Sequence, residues 1–87
     1  MKSPEVERCK SMIRTRNKAK EIFGIDLTFD KQNVIVEKIH RNELQKMYAE
    51  ENNMIYVAEI SPGNYVQVVY DLKLKVLSAV LPRKRRR

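Results

Sequence analysis

The sequence predicts an α+β fold in which two N-terminal helices pack on one face of a four-strand antiparallel meander sheet. Two observations lead to this fold class. Apolar residues recur at helical spacing as far as His40, whereas after Asn42 they follow the two-residue period of strands, with short turns between the runs. Short connections make consecutive strands neighbours, and helices then cover the apolar face of such a sheet.

The first helix is predicted from Pro4 to about Phe23. Ser3 is a favourable N-cap, and Pro4 suits the first helical position because its missing N–H is not needed there. Gly24 is the expected end, since glycine readily adopts the left-handed conformation that closes many helices. The apolar stripe expected to face the core consists of Val6, Cys9, Met12, Ile13, Ala19, Ile22 and Phe23.

The second helix is predicted to begin at Thr28 or Asp30, both good N-caps, and to end near His40 or Arg41. Its inward pair is expected to be Ile35 and Ile39. Residues 33–40 stay open between helix and strand, because the β-branched run that begins this segment suits a strand equally well by propensity.

Four strands are predicted in the second half of the chain: Leu44–Glu50, Met54–Ile60, Tyr65–Leu72 and Leu74–Leu81. Asn52–Asn53 and Pro62–Asn64 are the expected turns after the first and second strands. The third strand is apolar on both faces and should therefore be central. The fourth is expected at the sheet edge, where an apolar strand invites pairing, so the chain is predicted to be a monomer or an edge-strand homodimer.

Charge is unevenly distributed over the 87 residues, which are predicted to form one domain over residues 1–82 and a basic tail over residues 83–87. The net charge is +7, of which the tail holds +5. Residues 1–20 carry seven basic and two acidic side chains, a balance of +5, and residues 21–82 carry six and nine, a balance of −3. Two cationic ends around a mildly acidic body favour binding to a polyanion.

Several classes of protein are disfavoured by composition. There is no apolar run long enough to span a membrane and no apolar N-terminal signal segment, so a cytoplasmic protein is expected. The single cysteine allows no internal disulfide, and one cysteine with one histidine is too few for a zinc site. Two glycines are too few for a glycine-rich phosphate loop. No metal and no cofactor are therefore expected.

The closing segment YVQVVYD…KVLSAVL, residues 65–81, together with the α-α-β-β-β-β order, resembles the RelE/ParE-like superfamily of small bacterial toxins and the related colicin D-type nuclease domains. The resemblance covers roughly residues 20–82. Members usually begin with a strand before the first helix, and none is predicted here. The phrase FGIDLT, residues 23–28, also resembles small phage and prophage proteins.

This resemblance implies a metal-independent endoribonuclease encoded by a mobile element, with an antitoxin as a further partner. In that reaction a base removes the proton of the ribose 2′-OH, which then attacks the neighbouring phosphate. Cationic side chains stabilise the charge that grows on the phosphoryl oxygens, and an acid protonates the leaving oxygen. Because the reaction needs the 2′-OH, RNA is a more suitable partner than DNA.

Three residues are candidates for catalysis. His40 is the single histidine of the chain, it lies where helix meets sheet, and histidine is the side chain that exchanges protons near neutral pH. Arg41 is its neighbour, and Tyr70 lies at a strand end, where it could donate a proton. The alternatives are a surface histidine at a helix C-terminus and a half-buried strand tyrosine.

Two groups of cations are candidates for binding phosphates. Six basic residues and no acid lie between Arg8 and Lys20, and Arg14, Arg16 and Lys20 are the chosen members. The other group is the tail, Arg83, Lys84, Arg85, Arg86 and Arg87, whose adjacent cations would release counterions on contact with nucleic acid. The alternatives are a solvated helix face, a solubilising tail or a nuclear-import signal. Tyrosines on an exposed sheet face would add stacking platforms for bases.

Three functions follow. The first is a small basic nucleic-acid-binding protein of RelE-like architecture, for which metal-independent endoribonuclease activity is an option and not a requirement. The second is a non-catalytic phage or plasmid regulator that binds nucleic acid through its two basic ends. The third is a protein-interaction inhibitor that presents those ends to an acidic surface of a host protein.

Overall fold

A computed structural model describes residues 3–82 and confirms the expected fold class. The elements are α1 (Pro4–Phe23), α2 (Phe29–His40), β1 (Gln45–Glu50), β2 (Asn53–Ser61), β3 (Asn64–Asp71) and β4 (Val76–Leu81). The strands form one sheet in the order β1-β2-β3-β4, with every neighbouring pair antiparallel. As expected, β3 is an interior strand. No helix of the described chain is both long and apolar enough to cross a membrane.

Both helices begin and end where their capping residues predict. The Ser3 hydroxyl accepts the N–H of Glu5 at 3.2 Å, and Gly24 closes α1 with φ 69°. The Thr28 hydroxyl accepts the N–H of Lys31 at 3.3 Å, which selects Thr28 as the N-cap of α2. Residues 33–40 are helical, so the β-branched run there follows the helical pattern of its buried residues and not its strand propensity.

The strand boundaries differ slightly from the expected ones, and the largest shift is at β4. This strand begins at Val76, because Asp71 Oδ1 accepts the N–H groups of Lys73 at 2.8 Å and of Leu74 at 2.9 Å. That carboxylate holds the segment between β3 and β4 as a turn, and Lys75 completes the turn with φ 61°. Gly63, with φ 76°, forms the turn between β2 and β3.

The buried face of α1 matches the predicted apolar stripe only near its C-terminal end, where Ala19 is buried and Phe23 packs against the core. Its buried residues are Ser11, Thr15 and Ala19, whereas Val6 and Ile13 are 48% and 45% exposed. Cys9, expected in the core, is also exposed. The reason is a hydrogen-bonding requirement of the sheet: the Ser11 hydroxyl donates to the backbone carbonyl of Leu77 in β4 at 3.0 Å. The Thr15 hydroxyl shares its proton between that carbonyl, at 3.0 Å, and the carbonyl of Ser11, at 2.9 Å.

The two edges of the sheet are therefore different. β4 is a terminal strand, as expected, but α1 lies against it and supplies donors to its backbone. β1 is the other terminal strand, and all six of its residues are exposed. Its pairing with β2 is interrupted by a bulge between Lys46 and Tyr48. The edge of the sheet that is open to pairing with another strand is therefore β1, whereas the sequence predicted this open edge at β4.

The core lies between the helices and one face of the sheet. Ile35 and Ile39 of α2 are buried there, as predicted, together with residues of β2, β3 and β4. These sheet residues are Ala58, Ile60, Val66, Val68, Tyr70, Leu77 and Val80. The amide of Gln32 links the helical layer, since its Nε2 donates to the carbonyls of Met12 at 2.9 Å and Leu27 at 3.0 Å.

Candidate nucleic-acid interface

A row of three cations runs along the solvent side of α1. Lys10, Arg14 and Lys18 are spaced four residues apart, so they share one face of the helix at intervals of roughly 6 Å along its axis. All three are exposed, and none forms an ion pair with another of residues 3–82. We call these three residues the α1 basic row. Arg14 was expected as a binding residue, whereas Lys10 and Lys18 were missed, although their spacing was the available signal.

Arg16 occupies a different position from the α1 basic row. Its guanidinium forms a two-pronged ion pair with Asp26, with Nε–Oδ1 at 2.6 Å and Nη2–Oδ2 at 3.0 Å. The hydrogen bond from Arg16 is the main reason that the pKa of Asp26 lies below its ordinary value of 3.8. Lys20 is near enough to Asp26 to lower that pKa further. Of the three helix cations predicted from the sequence, Arg14 therefore belongs to the α1 basic row, whereas Arg16 and Lys20 lie near Asp26.

The other predicted phosphate-binding group, Arg83, Lys84, Arg85, Arg86 and Arg87, lies outside the described residues. The last described strand, β4, ends at Leu81, which pairs with Gln67 of β3. The basic tail therefore follows β4 in sequence after Pro82.

Two of the three predicted catalytic residues are in contact. His40 Nε2 lies 2.9 Å from the hydroxyl of Tyr70, and the two rings meet edge to face with centroids 5.8 Å apart. Tyr70 is on the helix side of the sheet and only 5% exposed, and this burial raises the pKa of its phenol. The phenol is therefore protonated at neutral pH and can donate to His40.

Arg41 does not join this pair. Its guanidinium lies 3.6 Å from Glu37 on the preceding turn of α2, and both side chains are largely exposed. The arrangement thus brings together two groups that can exchange a proton. It does not place a cation of α2 beside them to stabilise a phosphoryl oxygen.

The four tyrosines divide between the two faces of the sheet. Tyr56 and Tyr70 point towards the helices and contact the core. Successive side chains of a strand point to opposite faces of the sheet, so Ile55 and Gln67 lie on the face away from the helices. Tyr48 shares that face because it pairs with Ile55, and Tyr65 shares it because it is two residues from Gln67. They are 46% and 50% exposed and are therefore the aromatic side chains available for stacking.

Residues 3–82 contain no group of three or more histidine, cysteine, aspartate or glutamate side chains that could hold a metal ion. No protein-family model, curated protein or solved structure matches the chain in comparison searches.

Proposed function

We propose that this protein binds nucleic acid through phosphate contacts, with the α1 basic row and the tail at residues 83–87 as its two contact regions. The α1 basic row is the observation that carries this function, because its three exposed cations share one helix face between Glu7 and Glu21 and none of them forms an ion pair among residues 3–82. Phosphate contacts of this kind position a strand but do not select its sequence.

Single-stranded RNA is the proposed partner. Exposed Tyr48 and Tyr65 offer stacking platforms that unpaired bases can use and that a closed duplex cannot. Cytoplasm is the proposed location, since the exposed thiol of Cys9 suits a reducing compartment.

The test is equilibrium binding of the full chain to a nine-nucleotide single-stranded oligouridine, at several salt concentrations. The Lys10→Gln/Arg14→Gln/Lys18→Gln variant should bind more weakly, and the slope of log K against log salt should fall by about 2, given roughly 0.7 per phosphate contact on single strands. The matched control is Lys46→Gln/Lys73→Gln/Lys75→Gln, which removes the same charge from β1 and the β3–β4 turn. Equal losses in both variants would refute a localised contact on α1.

Ribonuclease activity of the RelE type is a second candidate, favoured by the contact between His40 and Tyr70. Tyr70 would act as proton donor and His40 as the group that exchanges protons with it, whereas Arg41 lies beside Glu37 and away from this pair. Incubation of the pure protein with total RNA in EDTA tests this role. Cleavage that survives EDTA and is lost in His40→Ala would support the enzyme, whereas intact RNA would leave a non-catalytic binding protein.

A protein partner, such as an antitoxin or a host protein, is favoured by one observation. Val6 and Ile13 are exposed on α1 among its cations, and an apolar pair bordered by positive charge suits an acidic amphipathic surface. Partners retained in a pull-down after nuclease treatment would support this interaction, and their loss after that treatment would assign them to bound nucleic acid.

A further inference from the structure

A cavity of about 360 Å³ lies where β1 begins, at the end of the sheet nearest to the β2–β3 turn. Gln45, the first residue of β1, pairs with Val57, whereas β2 continues to Ser61. The last residues of β2 therefore have no β1 partner, which leaves a notch in the sheet edge. The α2–β1 connection closes one side of this notch, where the Glu43 N–H donates to the carbonyl of Lys38 at 2.9 Å.

The cavity presents an aromatic ring beside an oriented carboxylate. Tyr65 and Glu59 are direct cross-strand partners, so their side chains lie next to each other on one face of the sheet. Glu59 Oε2 accepts the N–H of Gly63 at 2.7 Å, which fixes the carboxylate. Its Oε1 has no hydrogen-bond partner among residues 3–82 and is available to a ligand.

The charges of the cavity decide which part of an RNA strand can enter it. Glu43 and Glu59 carry two negative charges against the single positive charge of Lys38, so a phosphate is disfavoured inside. A nucleobase is uncharged, can stack on Tyr65, and fits a cavity of this volume. A carboxylate accepts hydrogen bonds and donates none, so it favours a base edge that carries N–H groups.

We propose that this cavity binds one unpaired guanine of an RNA strand, with Tyr65 as the stacking platform and Glu59 as the acceptor. Guanine is the base whose Watson–Crick edge has a ring N–H beside an amino group, so Glu59 Oε1 can accept one of them and Oε2 the other through the lone pair that Gly63 leaves free. Its O6 lies on the same edge and needs a donor, which Lys38 or Gln45 in the cavity wall can supply. Uracil has one N–H on that edge, and adenine and cytosine have the amino group alone.

This inference rests on the proposed function, because it adds base selection to a strand that phosphate contacts hold in place. It predicts a division of roles. Variants of the α1 basic row should weaken all RNA strands alike, whereas a variant of Glu59, the acceptor in the cavity, should change only the preference for guanine.

The experiment compares binding of the full chain to an oligouridine of nine nucleotides and to the same strand with guanine at its centre. The guanine strand should bind at least about 5-fold more tightly, the lower range for a two-bond base contact. Replacing guanine by inosine, which lacks the amino group, should remove most of that gain. Glu59→Gln should abolish the preference and leave oligouridine affinity unchanged, whereas Glu50→Gln, at the far end of β1, should retain it.

Amide chemical shifts in NMR spectra give a second readout that needs no variant. Guanosine monophosphate should shift Val57 and Glu59, whereas uridine monophosphate should leave both unshifted. If oligouridine binds but guanine adds nothing, or if the preference survives in Glu59→Gln, the cavity is not a guanine site although the proposed function stands. If no RNA binds, both the proposed function and the guanine site are refuted.

Discussion

The backbone carbonyl of Leu77 accepts two hydroxyls from α1, and removing them tests why this helix buries polar residues. Ser11 and Thr15 are 0% exposed, as is Leu77, and each hydroxyl oxygen lies 3.0 Å from the carbonyl oxygen. Thr15→Val keeps the shape of the side chain and removes only the donor, and Ser11→Ala removes the other. Each single variant leaves the carbonyl one remaining donor.

The expected free energies of unfolding follow from this geometry. Each single variant should lose about 1 kcal/mol, the usual net contribution of one hydrogen bond. The double variant leaves a buried carbonyl without these donors, which costs roughly a further 1–3 kcal/mol of uncompensated desolvation. The two substitutions should therefore be non-additive, with a coupling on the order of 1 kcal/mol.

Urea unfolding followed by far-UV circular dichroism measures this coupling, provided that the m-value is unchanged. Ser78→Ala in β4 is the matched control, because its partly buried hydroxyl makes one long contact of 3.4 Å to Val69. It should change stability by less than either α1 variant. Additive losses, or a double variant as stable as the native protein, would refute the role assigned to the two hydroxyls.

Three further predictions follow from the described contacts. The hydrogen bond from Arg16 lowers the pKa of Asp26 in the folded protein, so the ionised carboxylate stabilises the fold above pH 3.8 and this stabilisation is lost as the pH falls through the lowered pKa. An NMR titration of the carboxyl group should show a midpoint below 3.8, and Arg16→Ala should return the midpoint to the ordinary pKa of an aspartate. Tyr70→Phe should cost about 1 kcal/mol in urea unfolding, since it removes the 2.9 Å hydrogen bond to His40, and unchanged stability would contradict that contact. Gly24→Ala should lower the free energy of unfolding by about 1 kcal/mol, because φ is 69° at this position and alanine disfavours that conformation. No atom lies within 4 Å of the added methyl, so the backbone conformation is the cause, and a variant more stable than the native protein in urea unfolding would contradict it.

The local signals of the sequence predicted most of the fold. Ser3, Gly24 and Thr28 act through neighbouring backbone groups, so their effects can be inferred without knowing the rest of the structure. The same is true of the turn at Gly63 and of the interior position of β3, whose sequence is apolar on both faces.

The orientation of α1 could not be inferred in this way. Periodicity favoured an apolar face, but the helix is positioned by Ser11 and Thr15, whose acceptor is 66 and 62 residues away in sequence. The Leu77 carbonyl needs hydrogen-bond donors, but this need of a distant strand leaves no periodic pattern in the sequence of the helix.

The candidate site was predicted only in part, again because its contacts join residues that are far apart in the sequence. Once the buried face of α1 is known, Lys10 and Lys18 join Arg14 on one exposed row, whereas Arg16 is held by Asp26, ten residues away. The contact between His40 and Tyr70 joins residues 30 positions apart. Both residues were chosen from the sequence, but only the packing of α2 on the sheet brings their side chains together.

The most direct test of phosphate binding on α1 is the amide chemical-shift map of the protein on titration with a nine-nucleotide oligouridine at physiological salt. The account predicts that the largest shifts among residues 3–82 follow the α1 basic row, at Lys10, Arg14 and Lys18, and that they decrease as salt rises. Binding that leaves α1 unshifted, or no binding at all, would contradict it.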